Sequence, residues 1–125
     1  MIQRFIYLGE GYSDFYELLT LGSEMSHRVE HLIAFHTNEK ENSKTSVAIV
    51  MKPTTTGDFQ PIYMCKEGFT QTSKRFDLFK GLAEELDKKV IEITVQPSTH
   101  FGEQELYFQH LIGILRTNHF ISPLK

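Results

Sequence analysis

The 125-residue sequence predicts one α+β domain over residues 1–125, in βαβββαβα order, with a mainly antiparallel sheet packed by helices. Three observations lead there. Strand-like and helix-like segments alternate near both ends of the chain, but three strand-like segments follow one another in the middle. The turns joining those three are short and polar, which favours antiparallel pairing. Apolar residues make up 40% of the chain and charged residues 23%, the mix of a globular domain able to bury its own core.

The first strand runs from Ile2 to Leu8 and ends at Gly9-Glu10-Gly11. A helix follows, with Ser13 or Asp14 as N-cap; Asp14 and Glu17 stand at the spacing of a capping box. Its apolar stripe is Phe15, Leu18, Leu19 and Met25, and Gly22 is expected to loosen its C-terminal end. Val29, His31, Ile33 and Phe35 alternate with Glu30, Leu32 and Ala34 as the second strand. The polar turn 38–43 returns the chain to a third strand, Thr45 to Met51. A loop from Pro53 to Asp58 leads into a fourth, Gln60 to Cys65. Pro61 has no N–H to donate, which places this strand at an edge or makes position 61 its start.

The second helix is the clearest element, with Phe76, Phe79, Ala83, Leu86 and Val90 at steps of three and four and Leu82 beside them. Lys74, Asp77, Lys80, Glu84, Glu85, Asp87 and Lys88 cover its opposite face, and Thr72 or Ser73 is the expected cap. Val90 to Val95 then alternates as the fifth strand, stopped by Gln96-Pro97. The last helix is expected from Glu103 to near Thr117, followed by an irregular tail from Ser122. Phe108, Leu111, Ile112 and Leu115 form one apolar stripe on it, and Tyr107, His110 and Ile114 begin another. A helix apolar on nearly all sides must be buried, in the core or at a two-fold contact, and Gly113 would admit a close backbone.

Charge narrows the choice of partners. The net charge is −3; residues 1–63 carry 5 basic and 8 acidic groups, and residues 64–125 carry 8 of each. Neither half has the basic excess that would neutralise many phosphates, so nucleic acid is not an expected partner. Apolar runs are too short to span a membrane, and strand-like residues begin too early for a signal peptide. The lone Cys65 cannot close an internal disulfide, and a cytoplasmic protein is expected.

Few residues invite chemistry. Gly9, Gly11 and Ser13 lie where a strand turns into a helix, an arrangement whose amide N–H groups can hold an anion. The dinucleotide fingerprint needs a third glycine where Asp14 stands, so a tight turn and cap is the plainer reading. His27, His31, His36, His100, His110 and His119 show no metal-ligand spacing, and His31 and His36, five apart on a strand, point to opposite faces. Cys65 ends an apolar strand and reads as a small buried hydrophobe rather than a nucleophile. Ser13, Ser98 and Ser122 lack a G-x-S-x-G context, and Glu103 and Glu105 face different directions on a helix. No catalytic residue, metal or cofactor is expected.

Several strings occur together: Met1 to Ile6 with Leu8 to Asp14, Lys52-Pro53 with Gly57 to Ile62, and Phe108 to His119. On these the chain resembles, over nearly its whole length, a family of small uncharacterised proteins from Gram-positive spore-forming bacteria. Some members carry the label methylthioribose kinase. A sugar kinase of the protein-kinase-like type needs catalytic-loop and metal-binding aspartates in H-R-D and D-F-G strings, and neither string occurs here. The resemblance therefore implies no functional residues. Two functions are expected in order: a non-catalytic interaction or regulatory module acting as a homodimer or on a protein partner, then a small-ligand or anion-binding domain using Gly9 to Asp14, with weak enzyme activity at most.

Overall fold

The computed structural model describes residues 2–7, 12–37, 45–53, 59–65, 74–95, 104–118 and 120. The elements are β1 (Ile2–Tyr7), α1 (Tyr12–Glu24), a 3-10 turn (Ser26–Arg28), β2 (Val29–Thr37), β3 (Thr45–Met51), β4 (Phe59–Met64), α2 (Lys74–Glu85), β5 (Val90–Val95) and α3 (Gln104–Thr117). This is an α+β domain in the order that the sequence pattern dictates; β3 falls on the apolar run that follows the polar turn and β5 on the residues where alternation places it. Thr72, Ser73, Pro97, His100, Glu103, His119, the tail from Ser122 and the turns 38–43 and 54–58 lie outside the described residues.

All five strands join one sheet in the order β1-β4-β3-β2-β5. The central strands β2, β3 and β4 form the expected antiparallel meander. The outer strands add in parallel, β1 beside β4 and β5 beside β2. The sheet is thus evenly mixed rather than mainly antiparallel, and four strands run one way with β3 alone reversed. The physical reason is connectivity. Short turns set direction only within the meander, whereas α1 and α2 are crossovers long enough to bring the chain back in its original direction.

Pro61 brings a second correction, because β4 is internal. The ladder between β3 and β4 pairs Ala48 with Met64, Ile49 with Tyr63 and Val50 with Ile62. The Cys65 N–H donates to the Val47 carbonyl at 3.1 Å, so the hydrogen-bonded positions are 47/65, 49/63 and, next in the alternation, 51/61. Pro61 cannot make that last bond. Gln60, 2% exposed, makes it instead: its Nε2 donates to the Met51 carbonyl at 3.0 Å and to Glu30 Oε2 at 2.9 Å. Glu30 is the extra residue of a bulge, since β2 pairs Val29 with Met51 but His31 with Val50.

Helices cover both faces of the sheet. On the first face, Phe15 and Leu18 of α1 and Phe76, Phe79, Leu82 and Ala83 of α2 pack on Leu32, Ala34, Val47, Ile49 and Met51. On the second, Tyr107, Leu111 and Leu115 of α3 pack on Ile33, Phe35, Ala48, Val50, Ile62 and Met64. β2 and β3 are therefore buried on both sides, which explains near-continuous apolar runs where a half-exposed strand would alternate. Of the two apolar stripes that sequence gives α3, the core takes Leu111 and Leu115 from the first and Tyr107 from the second. Phe108, Ile112 and Ile114 are half-buried, Leu106 is 49% exposed and Gly113 faces open space, so the helix is not buried on nearly all sides.

Helix boundaries differ in detail from expectation. α1 begins at Tyr12, so Ser13 and Asp14 stand in its first turn rather than at the cap. Gly22 does not loosen α1: a Cβ there would lie 2.8 Å from Leu82 Cδ2 and 2.9 Å from Ile49 Cδ1, so glycine lets α1 settle closely onto β3 and α2. α2 closes in a Schellman motif. The Lys88 N–H reaches the Ala83 carbonyl at 2.8 Å and the Asp87 N–H reaches Glu84 at 3.0 Å, with Asp87 left-handed at φ 56°.

Candidate functional site

α1 and α2 lie side by side on the first face, each turning its most apolar stripe to the sheet. Above the sheet, the space between them is a groove of about 610 Å³. Half-buried Leu19 and buried Leu82 form its floor with Gly81, and exposed Tyr16 and Leu78 stand on opposite walls. Thr20 and Ser23 add small polar groups. Glu24, Asp77 and Glu85 supply the charge, all of one sign, and among the described residues no basic side chain lines the groove. The arrangement follows from helix periodicity: Tyr16, Leu19, Thr20 and Ser23 are spaced as one face of α1, and Asp77, Leu78, Gly81 and Glu85 as one face of α2.

The titratable members of its described lining are Tyr16 and three exposed carboxylates, Glu24, Asp77 and Glu85; among the described residues no histidine, cysteine or lysine lines it. Sequence reasoning did not single out the groove. Leu78 and Tyr16 sit off the core stripes of their helices, and that is the signal from which the groove could have been inferred.

A second polar cluster lies at the C-terminal end of β2. His36 Nδ1 meets Thr45 Oγ1 at 2.8 Å and its Nε2 meets Glu92 Oε1 at 2.9 Å, while its ring stands edge-on to Phe76 at 5.6 Å between centroids. Hydroxyl, imidazole and carboxylate in a row resemble a nucleophile with its base and orienting acid. Thr45, however, is 1% exposed, so its hydroxyl offers a substrate no approach. The cluster ties β3, β2 and β5 together across the sheet.

His31 lies on the other face, as the five-residue spacing from His36 requires, with its ring 5.7 Å from that of Phe120. Burial pushes its pKa below the ordinary 6.5; neighbouring Glu30 opposes that, Lys88 adds to it, and a hydrogen bond with the Phe120 backbone opposes it. Cys65 is buried in the first-face core among Phe15, Val47 and Phe76. Among the described residues, no three His, Cys, Asp or Glu side chains are grouped to hold a metal ion, and no helix is long and apolar enough to cross a membrane.

Of the residues that sequence offers as an anion site, Gly9 and Gly11 lie outside the described residues. Ser13 is placed by its backbone alone, in the first turn of α1. Their position in the topology is defined all the same. β1 ends at Tyr7 and α1 starts at Tyr12, so the segment between them joins the carboxyl end of a parallel strand to a helix start.

Residues 1–121 match a family described as a domain of unknown function, DUF7147. No curated protein and no solved structure matches the chain.

Proposed function

The chain belongs to the DUF7147 family of unknown function, and from that premise we propose that it is a non-catalytic interaction module docking a protein partner in the groove between α1 and α2. One observation carries this reading. Tyr16 and Leu78, 52% and 48% exposed, flank a concave surface, and large apolar side chains gathered around a groove are characteristic of interaction sites. An acidic lining repels phosphate backbones, so the partner is a protein rather than a nucleic acid. The setting we propose is the cytoplasm of a spore-forming bacterium, on the sequence resemblance and the single cysteine; the kinase label of some relatives has no part in it.

Affinity capture from native lysate, comparing the wild type with Leu78→Asp, tests the reading. Because Leu78 is exposed, the variant should melt at the wild-type temperature and lose a protein that the wild type retains. Identical captures would sink the reading. Sedimentation equilibrium on the same preparations shows whether that partner is a second copy, since the monomer mass is 14.5 kDa.

A second reading has one observation of its own. Four strands share a direction, so their carboxyl ends gather where α1, α2 and α3 begin, the end of an open sheet at which ligands bind. Under it, a small anion binds at Gly9, Gly11 and Ser13, and Leu78→Asp leaves that binding intact.

A further inference from the structure

We infer that the occupant of the α1–α2 groove is a basic amphipathic helix of a partner protein. This rests on the interaction-module reading and specifies the partner's chemistry. Charge is the first ground. Among the described residues the lining carries Glu24, Asp77 and Glu85 with no basic residue against them. Such a surface speeds encounter with a cationic partner and discriminates against an acidic one.

Backbone chemistry is the second ground. The groove is walled by two helices, whose N–H and C=O groups are engaged within the helices themselves. An extended peptide laid there would bury its own backbone groups without partners, because no strand edge is offered. A helix brings its hydrogen bonds with it and presents only side chains. Apolar side chains spaced three and four apart can then meet Tyr16, Leu19 and Leu78 while flanking Lys or Arg meet the acidic rim.

Gly81 is the third ground. A glycine inside a helix costs roughly 0.5–1 kcal/mol relative to alanine. At Gly22 close packing on Ile49 and Leu82 explains the glycine, but a Cβ at Gly81 would meet nothing within 4 Å. The same holds for Gly113 on α3, so open space alone marks no site; what sets Gly81 apart is that it lines the groove. The gap opens in the groove floor, where a partner's side chain or backbone can approach α2.

This chain's own helices do not supply the occupant. α1 has no Lys or Arg, α2 balances Lys74, Arg75 and Lys80 against Asp77, Glu84 and Glu85, and α3 balances Glu105 against Arg116. None of the described helices is net-basic and amphipathic, so among the described residues a second copy offers no helix that meets the charge requirement.

The experiment uses the full chain and two designed helical peptides with one identical leucine face, flanked by lysine in one and by glutamate in the other. Binding is read by fluorescence anisotropy at low and moderate salt against the wild type, Gly81→Leu, Gly81→Ala and Glu85→Lys. We expect the lysine peptide to bind at least about tenfold more tightly than the glutamate peptide, and to weaken with salt. Gly81→Leu should reduce that binding by about tenfold or more, Gly81→Ala by less, and both should melt no lower than the wild type. Glu85→Lys should weaken the lysine peptide and spare the glutamate one. Equal binding of both peptides, each lost in Gly81→Leu, overturns the basic partner while leaving the groove as a docking site. Binding of the lysine peptide that is indifferent to Gly81→Leu, or absent, overturns the inference, and the capture experiment with Leu78→Asp then judges the interaction module separately.

Discussion

Replacing Gln60 tests whether a side chain can stand in for a missing strand N–H. Gln60→Met keeps the length of a side chain that is 2% exposed but removes the donor to the Met51 carbonyl and to Glu30. A buried carbonyl left without a donor costs about 1–3 kcal/mol. Glu30 is half-buried and can recover part of its bond from water, so it adds less. The total is about 2 kcal/mol, which for 125 residues at about 2.1 cal/mol/K of unfolding entropy each lowers Tm by roughly 8 °C. The diagnostic comparison is the same substitution in a Pro61→Val background, where the restored backbone N–H can reach the Met51 carbonyl itself. Gln60→Met should then cost about 1 kcal/mol less, a coupling readable by urea unfolding of the four proteins. Costs that add to within about 0.5 kcal/mol would show that Gln60 does not serve the position Pro61 leaves open.

Two further outcomes follow from single residues. Asp87→Gly relieves a left-handed backbone at the end of α2 and should raise stability by about 1 kcal/mol, or Tm by roughly 4 °C; a lower Tm would contradict the Schellman geometry. His31 has a folded pKa below its unfolded value, so the unfolded chain takes up the proton first as pH falls. Its contribution is complete above about pH 6.5 and is lost between 6.5 and the lowered folded pKa. Urea unfolding should therefore show less stability at pH 5.5 than at 7.5, with a smaller difference in His31→Gln; an unchanged difference would refute the assignment.

Most of the element order was legible because periodicity is a local signal. Thr45 to Met51 sits in the structure as the apolar run between two turn signals, and Val90 to Val95 where its alternation ends. Sheet order was less legible, because it depends on how crossovers return the chain, and nothing in Ile2 to Tyr7 records that β4 will be its neighbour. Pro61 misled for a related reason. The rule that confines proline to sheet edges assumes that no other donor fills its place, and Gln60 does so only because the register brings Met51 opposite Pro61. The α1–α2 groove left a trace only in the off-stripe positions of Tyr16 and Leu78. Each looks like an ordinary surface residue until its helix is set beside the other, with the two residues 62 positions apart in sequence.

The groove gains weight from what the rest of the molecule explains for itself. Two of the unusual polar clusters near the sheet have a use within the fold: His36 ties three strands together, and Gln60 and Glu30 repair the proline position and the bulge. Gly22 is explained by a close approach and Asp87 by a helix terminus. Gly81 and Leu78 have no such use, and Tyr16, whose ring meets Phe15 edge-on, is still 52% exposed. Leu106 and Gly113 on α3 depart from local preference in the same way, but Gly81, Tyr16 and Leu78 are the three such residues that line one groove. Departures from local preference that the fold does not repay tend to gather where a protein meets something else. A fold-internal reason for Gly81 would therefore weaken the functional reading more than any change at the polar clusters, and Gly81→Leu is the substitution that would reveal one, by unfolding the protein instead of sparing it.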